Sequence, residues 1–277
     1  MRPPVFTGNL FYESVLRRLL HRGILQPTHS VLVTCGGELD RQVFQRLGFP
    51  HVTISNLEAG AVPPAGEQCA PSVQDAEQLG FPDEHFDFCV VHAGLHHCRS
   101  PHRALLEMYR VARIGVVLIE PCDSPLTRLG VRLGLGQEYE HAAVFANALQ
   151  AGGVRNTAVP NYVYRWTRRE IIKCICAFAP WAPHRFLFFR AVRSPRQQWS
   201  ARRPPLLRIL TALLWPGVEF LGRLLPVAGN TLAAVVLKPD AAALHPWLER
   251  DANGGIRPAR SWFARRFRAR GTADGHP

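Results

Sequence analysis

The stretch Val31-Leu32-Val33-Thr34-Cys35-Gly36-Gly37 decides the fold class. Its apolar residues predict a buried strand, and its glycine pair predicts a tight turn directly after that strand. Residues 38–47 follow with apolar side chains at helical spacing, and residues 52–55 form a second short β-branched run. A strand, a turn, a helix and a strand in this order indicate a parallel sheet that helices cover on both faces.

The same alternation continues through most of the chain. Further helices are predicted over residues 12–20, 101–112 and 167–178, and further strands near residue 73 and over residues 86–91, 116–119, 185–192 and 232–238. The last two strands are expected to pair antiparallel at the sheet edge. We therefore predict an α/β fold, a doubly wound, Rossmann-like, mostly parallel seven-stranded sheet with an antiparallel C-terminal strand and a helical insertion.

Composition excludes several classes of protein. With 277 residues, of which 47% are hydrophobic and 19% charged, the chain has enough apolar material for a sizeable core and too few charges for disorder. The net charge of +12 comes almost wholly from arginine, because the lysines are Lys173 and Lys238 alone. Seven cysteines without a C-x-x-C pair favour buried thiols in a reducing compartment. Without a signal-peptide pattern or an apolar span of about 20 residues, we predict a cytoplasmic protein and leave peripheral membrane contact open.

The glycine turn suits a nucleotide-like ligand. Glycine lets the backbone approach a ligand closely. After Gly37 no further glycine completes the pattern G-x-G-x-x-G, so a dinucleotide is disfavoured. Asn56 and Glu58 follow the second strand, where a polar side chain can reach ribose hydroxyls.

The most specific motif follows the third strand. Residues 73–79 read VQDAEQL, residues 81–88 read FPDEHFDF and residues 95–97 read LHH, while Glu120-Pro121 follow the next strand. This run resembles the class I S-adenosylmethionine-dependent methyltransferases, in particular the methyltransferase type 11-like domain, whose members carry D-A-x-x-L-x-F-P-D-x-x-F-D and L-H-H. The resemblance covers residues 31–121. It implies S-adenosyl-L-methionine as cofactor and methyl transfer as activity.

The resemblance also implies a set of cofactor-binding residues. Asp75 would accept a hydrogen bond from the adenine amino group, and Asn56 would lie near the ribose hydroxyls. His92, at the end of the fourth strand, would border the methyl donor. Taken by themselves, Asp75 is equally suited to cap a helix and Asn56 to form an Asx turn. The full implied set is Cys35, Gly36, Gly37, Asn56, Leu57, Asp75, Ala76 and His92.

Three positions depart from the family pattern. Val33 stands where an acid is usual, residues 35–39 read CGGEL in place of G-x-G-x-G, and Asn56 again replaces an acid. A lost charge-assisted hydrogen bond is worth about 1.5–3 kcal/mol. The nearby acids that can compensate are Glu38, Asp40 and Glu58. The alternative function is therefore a non-catalytic binding protein on the same fold.

His96 and His97 are the predicted catalytic residues. An imidazole titrates near pH ~6.5, so either ring can take a proton from an acceptor hydroxyl, although L-H-H also recurs in the family for structural reasons. Five potential metal ligands lie within eleven residues: His92, His96, His97, Cys98 and His102. Because the end of a strand and Gly94 interrupt their spacing, we predict no metal site.

The motifs divide the chain into segments. Residues 1–240 are predicted to form the methyltransferase domain, with a cofactor half over residues 24–122, an acceptor or lid segment over residues 123–165 and an amphipathic helical insertion over residues 196–229. The leucines on one face of this insertion either pack on the domain or contact a membrane surface or a lipidic substrate. Residues 241–277 are predicted to be a basic, mostly unstructured tail.

The predicted acceptor is a small molecule, a glycan or a lipid that is methylated at oxygen. Four aromatic residues are candidates for a stacking wall: Tyr139, Tyr162, Tyr164 and Trp166. The charge of +12 favours a nucleic-acid acceptor. That function ranks third, because no asparagine- or aspartate-proline-proline-aromatic motif follows the fourth strand.

Overall fold

A seven-stranded sheet forms the centre of the molecule. The computed structural model describes residues 9–66, 69–134, 136–192, 229–240 and 242–267, with the isolated positions 209, 213 and 217. The strands are β1 (Val31–Thr34), β2 (Val52–Asn56), β3 (Cys69–Val73), β4 (Phe86–His92), β5 (Ala112–Pro121), β6 (Arg185–Ala191) and β7 (Thr231–Leu237). Their order across the sheet is β3-β2-β1-β4-β5-β7-β6. Strands β1 to β5 pair in parallel and β7 pairs antiparallel with both β5 and β6, which confirms the predicted fold class.

Six helices accompany this sheet within residues 9–192 as far as the structure describes them. They are α1 (Asn9–His21), α2 (Glu38–Arg46), α3 (Pro101–Val111), α4 (Pro125–Arg132), α5 (His141–Ala146) and α6 (Arg168–Phe178). Local sequence explains several boundaries. The Ser100 hydroxyl accepts a hydrogen bond from the Arg103 N–H at the start of α3, and Thr167 and Glu170 form a capping box at the start of α6. Gly23 follows α1 with a φ of 65°, a conformation that glycine adopts without strain.

Alternating side chains divide the core between the two faces of the sheet. Leu32 and Leu118 belong to the cluster that includes α3 and α6, whereas Val33 and Val117 belong to the cluster that includes α1 and α2. These four side chains are fully buried. Burial of one such aliphatic side chain stabilises a fold by about 1.5–3 kcal/mol. The apolar strands of a doubly covered sheet therefore supply the rigid frame of the site.

The prediction of a mostly unstructured tail is wrong over residues 242–267. This region contains a hairpin of β8 (Leu248–Arg250) and β9 (Ile256–Pro258), followed by α7 (Arg260–Phe267). The Asp251 carboxylate closes the hairpin turn by accepting from the Asn253 and Gly255 N–H groups. Trp247 packs against Trp262 with ring centroids 5.8 Å apart. Turn chemistry and a set of aromatic contacts thus order a segment that lacks hydrophobic periodicity.

The predicted insertion lies mostly outside the described residues. Within it, positions 209, 213 and 217 are helical. No helix in the described ranges combines the length and the apolar character that a membrane crossing requires.

Candidate functional site

The carboxyl ends of β1, β2 and β4 meet at one edge of the sheet. There the turn after β1 comes very close to its neighbours. A Cβ atom on Gly36 would lie 2.8 Å from the side chains of Val33 and Ile54, and one on Gly94 would lie 2.4 Å from the Cβ of Cys35. Cys35 adopts a left-handed φ of 52°. The glycines are therefore required for the close approach of the turn and the loop after β4.

The end of this turn carries a buried acid and a buried phenol. The Gly37 N–H donates to Asp40 Oδ2 at 2.9 Å, which fixes the start of α2. Burial raises the pKa of Asp40 to about 6. Tyr12 from α1 stacks on His92 with ring centroids 4.5 Å apart. Its hydroxyl lies beside the carboxylate but outside hydrogen-bonding geometry, so the hydroxyl and Asp40 Oδ1 are both buried without a partner in the described part of the chain.

Asn56 and Leu57 stand at the end of β2, as predicted. The Asn56 Nδ2 donates to the Gly36 carbonyl at 2.9 Å, a bond that an aspartate at this position cannot make. Asn56 therefore ties the turn to β2. Its Oδ1 accepts a long hydrogen bond from the Glu58 N–H at 3.5 Å, the contact of an Asx turn, and keeps a second lone pair for a ligand. Three acids are candidates to replace the missing carboxylates. Glu38 and Glu58 are exposed, whereas Asp40 is buried and bonds to the Gly37 N–H of the turn.

Asp75 lies in a turn after β3, so the alternative of a helix cap is wrong. Its Oδ1 accepts from the Glu77 N–H at 2.9 Å, and its Oδ2 pairs with Arg155 at 2.8 Å. Arg155 also contacts Glu77 Oε2 at 3.0 Å. Partial burial opposes ionisation, but the Glu77 N–H and the guanidinium together hold the pKa of Asp75 below its usual value. Ala76 and Leu79 beside it are buried, so the predicted adenine position has an apolar wall and a carboxylate that is already paired.

A buried carboxylate organises the L-H-H loop. Glu120, at the end of β5, is 1% exposed. Its Oε1 accepts from the Gly94 and Leu95 N–H groups at 2.8 Å each, and its Oε2 accepts from His96 Nδ1 at 2.9 Å. Burial lowers the pKa of His96, but Glu120 and Glu140 outweigh it and raise the pKa to about 10. His96 is therefore a cation at neutral pH and a poor base.

The second histidine has a different environment. The side chain of His97 is 33% exposed. Burial and the neighbouring His96 lower the pKa of His97, so this ring is neutral at pH 7. Of the two predicted bases, His97 alone has a ring that is ready to accept a proton.

The segment after α4 reaches this loop and adds residues that sequence reasoning missed. Glu140 Oε2 lies 3.4 Å from His96 Nε2 and 3.6 Å from His97 Nε2. The Asn161 amide donates to Glu140 Oε2 at 3.3 Å and to the His96 carbonyl at 3.0 Å. No motif marks Glu140 or Asn161, since their segment has neither strong periodicity nor a family pattern.

The four aromatic residues predicted to form one wall form two pairs. Tyr139 and Tyr162 are about half exposed with ring centroids 5.5 Å apart. Tyr164 lies 5.1 Å from Trp166, which is fully buried. The first pair is therefore the one with surface available for an acceptor.

Comparisons with known proteins agree with this geometry. Residues 31–119 match the family described as a methyltransferase domain. This range includes strands β1 and β4 and every predicted cofactor-binding and catalytic residue. A search of curated proteins finds no match.

Solved structures share the fold at low sequence identity. A chain of the Haloferax volcanii Trm112 methyltransferase activator complex is 11% identical, with a TM-score of 0.51 and coverage of 83% of this chain and 92% of that chain. The plantazolicin methyltransferase BpumL, solved with a desmethyl-plantazolicin analogue and SAH, is 13% identical, with a TM-score of 0.50 and coverage of 84% of each chain. Residues 31–119 of this chain therefore resemble a methyltransferase domain, and they lie on a sheet with the fold of the class I methyltransferases.

Proposed function

We propose that this protein transfers a methyl group from S-adenosylmethionine to an oxygen of a small-molecule, glycan or lipid-type acceptor. The observation that carries the proposal is the family match over residues 31–119, which includes the glycine turn and Asp75. BpumL, which shares the fold, was solved with SAH. The proposal extends that cofactor to this chain.

The residues at the sheet edge fit such a cofactor. Asp75 would accept from the adenine amino group against the apolar wall of Ala76, and Asn56 Oδ1 would accept from a ribose hydroxyl. The unpartnered Asp40 Oδ1 suits the ammonium of the methionine end, and the unpartnered Tyr12 hydroxyl suits its carboxylate. When bound, the cofactor supplies a methyl group on a sulfonium, a good leaving group.

The acceptor hydroxyl would lie at the cluster of His96, His97 and Glu140. Methyl transfer to oxygen needs close alignment of the two reactants and an acceptor for the hydroxyl proton. The cluster follows β4, whose end at His92 borders the proposed methyl position, and the acceptor segment closes over it through Glu140. His96 would position the cluster and would not act as the base.

A non-catalytic function has one observation in its favour. The Asp75 carboxylate is already paired with Arg155 at 2.8 Å. A bound adenosyl group must share the Asp75 carboxylate with the Arg155 guanidinium or displace the guanidinium from it. A protein in which Arg155 keeps the site closed would retain the fold and not bind the cofactor.

Calorimetric titration with S-adenosylmethionine and S-adenosylhomocysteine distinguishes the two functions. We expect binding in the micromolar range that Asp75→Ala abolishes. Asp83→Ala is the matched control, because Asp83 belongs to the same motif and its side chain is 75% exposed. A folded protein that binds neither compound supports the non-catalytic function. Equal loss in both variants contradicts the assignment of Asp75.

A further inference from the structure

We propose that His96 Nε2, His97 Nε2 and Glu140 Oε2 form a binding site for one divalent metal ion, best suited to Zn²⁺. The three ligand atoms lie within 4.8 Å of one another. Two imidazoles and a carboxylate are a ligand set that zinc accepts in proteins. Metal binding can be measured without any acceptor or cofactor, so its test is separate from that of methyl transfer. With an ion on Nε2, His97 would not act as the base for the acceptor hydroxyl.

The spacing of the ligand atoms agrees with tetrahedral coordination. Zinc bonds of about 2.0–2.1 Å place two ligands of a tetrahedron about 3.3 Å apart. The observed distances from Glu140 Oε2 are 3.4 Å to His96 Nε2 and 3.6 Å to His97 Nε2. The two pairs that include Glu140 therefore need little movement, whereas the two imidazole nitrogens, which lie within 4.8 Å of each other, must come to about 3.3 Å when the ion binds.

The surrounding hydrogen bonds orient the ligands as in known zinc sites. A metal-binding histidine usually donates its other ring N–H to a carboxylate or carbonyl, which fixes the tautomer. His96 Nδ1 makes this bond to Glu120, and two backbone N–H groups hold Glu120 in turn. Asn161 orients Glu140 in the same way.

A metal ion would take the place of the proton that His96 carries in this cluster. With Nδ1 directed at Glu120, the Nε2 of a neutral His96 presents a lone pair to the oxygen of Glu140. A proton on His96 Nε2 satisfies this contact, but His97 Nε2 lies 3.6 Å from the same oxygen, beyond hydrogen-bonding distance. A metal ion satisfies all three atoms together.

Three protein ligands leave one coordination position for water or an acceptor oxygen. The Asn161 side chain lies beside the cluster, its residue is 3% exposed, and its Oδ1 has no hydrogen-bond partner among the described residues. Such an acceptor suits a metal-bound water or hydroxyl. The sequence-based prediction of no metal considered histidines and a cysteine close in sequence and did not include Glu140, which lies more than forty residues further along the chain.

Zinc titration of the untagged, chelator-treated protein tests the site. A chromophoric chelator reports competition, and Co²⁺ substitution reports the coordination by its visible absorption. We expect one ion per chain, and at least about tenfold weaker binding in Glu140→Gln and in His97→Gln. Glu120→Gln is expected to weaken binding by about 10–100-fold through the tautomer of His96.

Two neighbouring variants serve as controls. Glu138→Gln and His141→Gln change exposed residues of the same types close to Glu140 and should leave the affinity unchanged. Circular dichroism checks that each variant is folded. Absence of stoichiometric binding to the folded wild-type protein overturns the proposal, as does equal affinity of the wild type, Glu140→Gln and His97→Gln. Either result would identify a proton as the occupant of the cluster.

Discussion

Removal of the Arg155 side chain should strengthen cofactor binding. Arg155 spans two carboxylates, with Asp75 at 2.8 Å and Glu77 at 3.0 Å, and its side chain is 34% exposed. The first of these is the proposed acceptor for the adenine amino group. In the Arg155→Ala variant that carboxylate no longer shares its oxygen with a guanidinium.

The structure sets the size of this effect. Partly exposed ion pairs contribute about 0.2–1 kcal/mol each, so the two pairs together are worth about 1 kcal/mol. Release of this competition corresponds to about fivefold tighter binding of S-adenosylhomocysteine. The same loss should lower the free energy of unfolding by about 1 kcal/mol.

A second substitution separates the side chain from the backbone. Arg155 adopts a left-handed φ of 50°, which costs a non-glycine residue about 1 kcal/mol. Arg155→Gly should therefore give the same gain in affinity with a smaller loss of stability. Arg128→Ala is the control, because Arg128 pairs with Asp123 in the same segment and makes no contact with Asp75.

Isothermal calorimetry and urea unfolding measure the two quantities. Weaker binding in Arg155→Ala would refute the competition and indicate that the guanidinium helps to close the site over the ligand. Unchanged affinity together with lower stability would show that the carboxylate of Asp75 does not contact the cofactor.

Three further substitutions test the site by stability. Glu120→Gln should lower the free energy of unfolding by about 3 kcal/mol in urea, since it breaks a buried pair with His96; a cost below about 1 kcal/mol would contradict this role. Asp40 has a folded pKa of about 6 against about 3.9 unfolded, so its contribution to stability falls by about 2 kcal/mol as pH rises from 4 to 7. The free energy of unfolding of Asp40→Asn should therefore rise by that amount relative to the wild type between pH 4 and 7. A difference between the two proteins that does not change with pH would refute the raised pKa of Asp40. Asn56→Asp should destabilise by about 1–2 kcal/mol in thermal unfolding, because the carboxylate cannot donate to the Gly36 carbonyl; an unchanged melting temperature would count against the bond.

Sequence reasoning located the residues that strands position directly. The strand before Cys35 and the one that ends at His92 are short apolar runs bounded by turn residues, and such runs predict buried strands. Asp75 was located by a motif of fixed spacing. Each of these predictions depends on neighbours in sequence, and local patterns carry that information.

The partners of these residues come from distant parts of the chain. Arg155 pairs with a carboxylate 80 positions earlier, and Asn161 bonds to a carbonyl 65 positions earlier. Both lie in a segment of short helices and turns, where no periodicity indicates which side chain faces inward. Such contacts arise from the way the segment folds over the sheet edge, and pairwise charge and hydrogen-bond geometry then select the partners.

The sequence by itself determined the α/β class, the glycine turn, the motif around Asp75 and the likeness to methyltransferases, because periodicity and spacing are properties of neighbouring residues. The tertiary structure decided that Arg155 pairs with Asp75, the proposed acceptor for the adenine amino group, and that Glu140 joins His96 and His97. It also decided that His96 is held as a cation between carboxylates. Those properties depend on burial and on distances between atoms far apart in the chain, and both exist only after the sheet has formed and the acceptor segment has closed over its edge.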